Sequence, residues 1–204
     1  MSLKAHWESV YERKKPEEVS WYQENPAGSL AMIESAGLGK EDPIIDVGGG
    51  ASKLASVLHG LGYRNLTVLD ISKKALETAR QKMGAAADAV QWVEADVTRF
   101  RAPQRYRFWH DRAVFHFLTD PSDRELYLET LRNSLSNPGY VMIASFSLEG
   151  PEKCSGLPVQ RYNHETLQQT LGPEFECLRR DSEAHRTPVG TLQQFLYSLF
   201  RRKV

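Results

Sequence analysis

Four aspartates close four apolar runs. Asp46 lies in Ile44-Ile45-Asp46-Val47, Asp70 follows Leu66-Thr67-Val68-Leu69, Asp96 follows Val90-Gln91-Trp92-Val93, and Asp111 follows Tyr106-Arg107-Phe108-Trp109. The first run leads into three consecutive glycines, Gly48-Gly49-Gly50. Glycines let backbone approach a ligand closely, because a side chain there would fill the ligand's space. Asp70 comes twenty residues after Gly50, a separation at which a carboxylate reaches a ribose hydroxyl pair. A single acid at a strand end commonly caps the next helix. Four acids on one edge, with glycines behind the first, suit a ligand that wants carboxylates and close backbone. A pyrophosphate would be repelled there; a cationic adenosyl compound would not.

The chain pattern must bring those acids together. After Gly50, Leu54, Val57, Leu58 and Leu61 follow helical spacing. Ser72 is placed to cap a second helix, with Leu76, Ala79 and Met83 inward and Gly84 at its end. Asp120-Pro121 opens a third helix, whose inner face is Leu128, Leu131 and Leu135. A turn at Asn137-Pro138-Gly139 precedes Tyr140-Val141-Met142-Ile143-Ala144, apolar enough for a strand buried on both faces. Strand and helix alternate to this point, which predicts a parallel sheet with helices on both sides and all four acids on one edge. Ser145 to Tyr162 has no periodic pattern and reads as a long loop of functional kind. Asn163 can cap a short helix over Glu165–Leu171. Two strands close the chain, Phe175–Arg180 and Leu192–Phe200, joined by a turn over His185–Gly190. The last is apolar on both faces and should lie inside the sheet, beside the fifth strand. The fold class is therefore α/β: a doubly wound seven-stranded sheet, mostly parallel with one antiparallel strand. Residues 1–40 form a separate N-terminal segment, with short helices at His6–Arg13 and Leu30–Ala36, ahead of a main domain over 41–204. Trp21-Tyr22 lies between those helices. Its aromatics either plug onto the domain surface or close as a lid over the ligand.

The bulk composition narrows the classes. The chain has 204 residues, enough for one well-cored domain, and its 26 basic and 26 acidic residues cancel. That balance gives no electrostatic track for nucleic acid. No apolar run reaches membrane-spanning length, and the N-terminus lacks a secretory h-region. Cys154 and Cys177 are the two cysteines; they read as free thiols in a reducing cytoplasm. No metal-ligand spacing is read.

These residues resemble the class I S-adenosylmethionine-dependent methyltransferases. Asp46-Val47-Gly48-Gly49-Gly50-Ala51-Ser52 is similar to that family's first motif, acid-x-Gly-x-Gly-x-Gly, with Ser52 where the last glycine would stand. The resemblance spans residues 40 to 200 and implies a Rossmann-like methyltransferase fold with S-adenosylmethionine as cofactor. It implies that Asp46, Gly48 and Gly50 hold the cofactor. Asp70 would meet both ribose hydroxyls, with Ile71 against the adenine, and Asp96 the adenine amino group, with Val97 nearby. Asp111 would lie beside the methyl group, and Trp21, as a lid, would cover the ligand. A narrower likeness, carried by His6-Trp7, Ser20-Trp21-Tyr22, Trp109 to Leu118, Cys154 to Tyr162 and Gln194-Phe195, is to a branch of uncharacterised bacterial methyltransferases and implies no acceptor.

A sulfonium methyl is already activated, so such an enzyme chiefly aligns nucleophile, methyl and sulfur. A base is needed only for an acceptor that arrives protonated. Asp111 and His116 are the candidates, with His110 behind them; the plainer reading of His116 is a packed histidine among Phe115, Phe117 and Leu118. Arg112 either neutralises Asp111 or holds an anionic substrate. The acceptor is expected to be a small molecule or a protein side chain. The Asn-Pro-Pro-Tyr type of signature for base amino groups is missing, since the site after the fourth strand reads His110-Asp111-Arg112-Ala113. Two other functions compete. An NAD-dependent oxidoreductase would want a small residue where Lys53 stands after Gly48-x-Gly50. A catalytically inactive S-adenosylmethionine-binding partner protein would have no need of the intact acids.

Overall fold

The computed structural model describes residues 2–203. The main sheet orders its strands β3-β2-β1-β4-β5-β9-β8. These are β1 (Ile44–Val47), β2 (Leu66–Asp70), β3 (Val90–Glu94), β4 (Tyr106–Arg112), β5 (Leu135–Phe146), β8 (Phe175–Arg186) and β9 (Leu192–Arg202). Pairings from β3 through β5 are parallel, while β9 is antiparallel to both β5 and β8. The single antiparallel strand thus lies inside the sheet beside β5, as its two apolar faces predict.

Two cores sandwich the sheet. On one face α2 (Ala27–Ser35), α3 (Leu54–Gly60) and α4 (Lys73–Met83) bring Met32, Ile33, Leu54, Leu58 and Leu76 onto Phe108, Met142 and Tyr197. On the other, α5 (Pro121–Ser134) and α6 (His164–Leu171) pack Leu128, Leu131, Leu167 and Leu171 onto Trp109, Val141 and Phe200. Coverage on both sides is why the central strands are near-continuous apolar runs.

Helix starts follow their caps. Ser72 Oγ accepts from the Ala75 amide at 3.1 Å, and Asp120 Oδ1 from the Ser122 amide at 2.8 Å. Asn163 Oδ1 accepts from the Thr166 amide at 2.8 Å, so α6 begins at His164. The first helix, α1 (Leu3–Arg13), starts earlier than its apolar pattern predicts, because Ser2 Oγ caps it through the Ala5 amide. α2 likewise starts early, at Ala27 behind Pro26.

Three stretches differ from expectation. β5 begins at Leu135, which pairs with Tyr106; Asn137-Pro138-Gly139 is an irregularity within the strand and not a turn before it. β8 runs on to Arg186 and β9 to Arg202. Their outer half is disguised by charge. β8 is an edge strand with one face in solvent, so arginines and acids alternate along it. The stretch from Ser145 to Tyr162 holds a short hairpin, β6 (Lys153–Cys154) with β7 (Leu157–Pro158), turned by Ser155 and Gly156 at φ +51° and +81°. No helix among the described residues is long and apolar enough to cross a membrane.

Candidate active site

The carboxyl ends of β1, β2 and β4 meet at one edge, where Val47 is paired with Leu69 on one side and Asp111 on the other. The chain leaves β1 through Gly48 at φ +66° and Gly50 at φ +33°. A Cβ on Gly48 would collide with the Val114 side chain, and one on Gly50 would lie 2.6 Å from Asp70 Oδ2. Only glycine fits either position. The Leu69 carbonyl holds the turn by accepting from the Gly48 amide at 2.7 Å.

Above this edge is a cavity of about 110 Å³. Gly48, Asp70, Ile71, Asp96 and Val97 form its floor, and Val114 and Leu118 wall it after β4. A neighbouring cavity of about 60 Å³ is lined by Asp46, Gly48, Gly49, Ser52, His110, Tyr22 and Gln23. Tyr11, Trp21, Gly48 and Arg112 line both. Both are smaller than the roughly 300–1,000 Å³ of sites for drug-sized molecules.

Their roof is the N-terminal segment. Leu3, Trp7 and Tyr11 share one face of α1 at i, i+4, i+8 and line the larger cavity. Trp7 meets Trp21 and Phe117 edge-on at 5.5 and 5.0 Å between ring centres. Glu8, on the same helix, pins the roof. Its carboxylate accepts from Ser72 Oγ at 3.0 Å and from the amides of Lys73 and Lys74 at 2.8 and 3.1 Å. These are the free donors at the start of α4, where a negative charge is stabilised. Lys4–Glu94, Lys82–Glu17 and Lys53–Glu24 ion pairs fasten the segment elsewhere.

Of the residues expected to hold a ligand, Trp21, Gly48, Asp70, Ile71, Asp96 and Val97 come together around the larger cavity. Burial pushes the Asp70 carboxyl up to about 7, with the charges of Asp46 and Glu8 adding to it and the amides of Ser72 and Gly50 opposing. Asp96 Oδ1 accepts from the Thr98 amide at 2.9 Å, so it also caps the short turn after β3. Gly50 lies beneath, against Asp70 and the Tyr11 hydroxyl. Asp46 faces the smaller cavity. Its Oδ1 is 2.6 Å from His110 Nδ1, and His110 Nε2 is 2.8 Å from Ser29 Oγ on α2. All three side chains are buried.

Two expected catalytic residues are elsewhere. Asp111 is fully buried and lines neither cavity. It accepts from the Val114 amide at 2.9 Å and from the Tyr127 hydroxyl at 2.6 Å, closing the turn after β4. Burial pushes its carboxyl up to about 6, against the pull of the Tyr127 hydroxyl and the two amides. It is a structural cap in this arrangement, not a base facing the cavity. His116 is also fully buried, tilted against Phe146 and edge-on to Phe117. Burial, aided by the charge of Arg112, pushes it down to about 3, too low for an effective base at neutral pH. The packed reading of His116 is the one the geometry follows.

Leu3 and Tyr11 join Trp7 in the lining on an i, i+4, i+8 spacing that is visible in the sequence of α1, whereas Ser29 carries no such signal. Cys154 also lines the larger cavity, carried there by the β6–β7 hairpin.

The family described as "Methyltransferase domain" matches residues 44–139, which run from β1 to the start of β5 and include the glycine turn and all four acids. This stretch is thus similar to a methyltransferase domain over 96 of the chain's 204 residues. No curated protein matches the chain. Among solved structures, the whole chain aligns with an S-adenosylmethionine-dependent methyltransferase from Anabaena variabilis at 16% identity. The alignment covers 100% of this chain and 96% of that one, with a TM-score of 0.75. The 1,6-didemethyltoxoflavin-N1-methyltransferase of Burkholderia thailandensis, solved with S-adenosylhomocysteine, aligns at 19% identity over 99% of this chain and 88% of that one, TM-score 0.74. The N-methyltransferase NodS from Bradyrhizobium japonicum aligns at 16% identity over 96% and 97%, TM-score 0.72. The chain therefore has the Rossmann-like class I fold, with α1, α2 and the roof inside the aligned region.

Proposed function

We propose that the protein is an S-adenosylmethionine-dependent methyltransferase acting on a small molecule. The observation that carries this reading is the larger cavity: a glycine turn that tolerates no Cβ, next to Asp70 and Asp96, within the matched domain. These groups fit the cofactor. Asp70 would accept from the ribose hydroxyls, Asp96 from the adenine amino group, and Ile71 and Val97 would flank the base. The open backbone at Gly48 would admit the sulfur end. When bound, the cofactor supplies an activated methyl group on a cationic sulfur.

The chain's own residues then bind and align. The aromatic roof of Trp7, Tyr11 and Trp21 excludes water and fixes the approach of the nucleophile. With Asp111 and His116 withdrawn, the carboxyl groups in the larger cavity among the described residues are Asp70 and Asp96, both assigned here to the cofactor, which suits an acceptor that arrives with a free lone pair. A closed roof also favours a small acceptor over a protein side chain. Two of the similar structures are N-methyltransferases by name, and a nitrogen acceptor is in keeping with both points.

Thermal denaturation tests the cofactor assignment. S-adenosylhomocysteine at a hundred times its Kd should stabilise by about 2.7 kcal/mol, while NAD should leave the midpoint in place. A flat response to both adenosyl ligands, S-adenosylmethionine included, would end this reading.

A further inference from the structure

We propose that the acceptor carries a carboxylate and that Arg112 seats it. The inference rests on the methyltransferase reading above and names the acceptor's chemistry.

Arg112 is the last residue of β4 and the only basic side chain in the lining of the larger cavity among the described residues. It also lines the smaller one, so it stands at their junction. Its guanidinium is held on three sides. Nε donates to the Tyr197 hydroxyl at 2.8 Å, Nη1 donates to the Trp21 carbonyl at 2.9 Å, and the plane lies 4.6 Å from the centre of the Phe195 ring. Nη2 is buried and has no hydrogen-bond partner. No carboxylate among the described residues pairs with Arg112 within ion-pair distance. Asp111, its sequence neighbour, is committed to Tyr127 on the other face of the strand; Glu183 is shared among Gln23 at 2.8 Å, His185 at 3.7 Å and the Tyr197 hydroxyl, and reaches Arg112 through its charge without a direct contact.

Arg112 is half-buried, but its Nη2 is a buried donor left unsatisfied, and native structures pair such groups. The guanidinium fork matches a carboxylate, and a fixed fork loses little freedom on binding one. The surroundings describe the rest of the ligand. Trp21 and Phe117 line the same cavity, so the acid should carry a small apolar body. The remaining charges in that lining are Asp70 and Asp96, which repel an anion from the floor and leave Arg112 as its one favourable seat.

The cofactor's own amino-acid carboxylate is the other possible source, and the test separates the two. Calorimetry on the full chain would measure S-adenosylhomocysteine, 5′-methylthioadenosine, which lacks that carboxylate, and benzoate added to the S-adenosylhomocysteine complex. Each is run on wild type, Arg112→Gln and Tyr197→Phe. The expected result is S-adenosylhomocysteine affinity within threefold of wild type in Arg112→Gln, with benzoate binding weakened at least tenfold there and kept in Tyr197→Phe. Tyr197→Phe removes a support of the guanidinium but leaves its charge, so it controls for misfolding. If S-adenosylhomocysteine loses tenfold in Arg112→Gln while 5′-methylthioadenosine does not, the carboxylate is the cofactor's and the proposal fails. Benzoate that binds neither wild type nor variant, or binds both alike, also overturns it. A wild-type protein that binds no adenosyl ligand sinks the methyltransferase reading instead.

Discussion

Ser29 Oγ lies 2.8 Å from His110 Nε2, and that bond joins the N-terminal segment to the central strand of the sheet. His110 in turn meets Asp46, two residues before the glycine turn, at 2.6 Å. His110 thus bridges the Asp46 carboxylate and the Ser29 hydroxyl through its two ring nitrogens. Roof, strand and glycine turn are thereby one buried chain.

Breaking that chain should show in stability. His110→Leu removes the short bond to the buried Asp46 carboxylate, leaving it Ser52 Oγ at 3.3 Å, and should cost about 1–3 kcal/mol in urea unfolding. Ser29→Ala removes only the outer link and should cost about 1 kcal/mol. Equal losses from the two would mean that Asp46 is not held by the histidine.

Glu8→Gln should loosen the roof without unfolding the domain. The variant keeps the shape and loses the charge at the start of α4, a change of about 1 kcal/mol. Hydrogen exchange should quicken in α1 and hold steady in β1 and β4. The charge has a pH signature as well. Its contacts with Lys74, Lys73 and Ser72 outweigh the cost of partial burial and hold the Glu8 carboxyl below its ordinary value. Its stabilisation is therefore present above pH 4.5 and disappears as pH falls through the lowered value.

Asp70 has the opposite sign. Burial first, then the charges of Asp46 and Glu8, raise its carboxyl to about 7, so the unliganded fold holds that proton more tightly than the unfolded chain. Its contribution to stability is full at low pH and is lost as pH rises toward 7. A ribose needs the ionised form as acceptor. S-adenosylhomocysteine affinity should thus climb with pH up to about 7 and level off above it, and Asp70→Asn should erase the slope. A slope that survives in the variant would assign the proton to another group.

Asp111→Asn separates a cap from a base. The amide retains one acceptor for the turn amides but mismatches the Tyr127 hydroxyl, costing about 1–3 kcal/mol of stability. S-adenosylhomocysteine affinity, measured well below the melting point, should stay within twofold of wild type. A tenfold loss of affinity in a fully folded variant would return Asp111 to the binding site.

The mostly parallel sheet, the place of the antiparallel strand and the floor of the larger cavity are legible because each rests on a local rule. Apolar runs marked buried strands, Ser72, Asp120 and Asn163 marked helix starts, and glycines marked the turn. Asp111 was misplaced for want of one step. Alternation along β4 puts Trp109 and Asp111 on the face opposite Phe108 and His110, and in parallel register Asp46 stands beside His110. Parity alone therefore selects His110 as the partner of Asp46 and sends Asp111 toward Tyr127. The roof was harder to read. The α1 spacing identified a helical face, but what that face covers depends on Glu8 reaching donors more than sixty residues away. Arg112 reads two ways in the sequence, and the turn of Asp111 toward Tyr127 removes one of them, the pairing with Asp111.

Cys154 enters the wall of the larger cavity on a two-residue strand, with its thiol 4% exposed and raised by burial to about 11. An alkylating reagent therefore reaches it only in molecules whose aromatic cover has swung aside, and then only as fast as that happens. The hairpin gives the protein a natural clock: the pace of capture at Cys154, followed apart from the more exposed Cys177, counts openings, and a bound ligand should slow it.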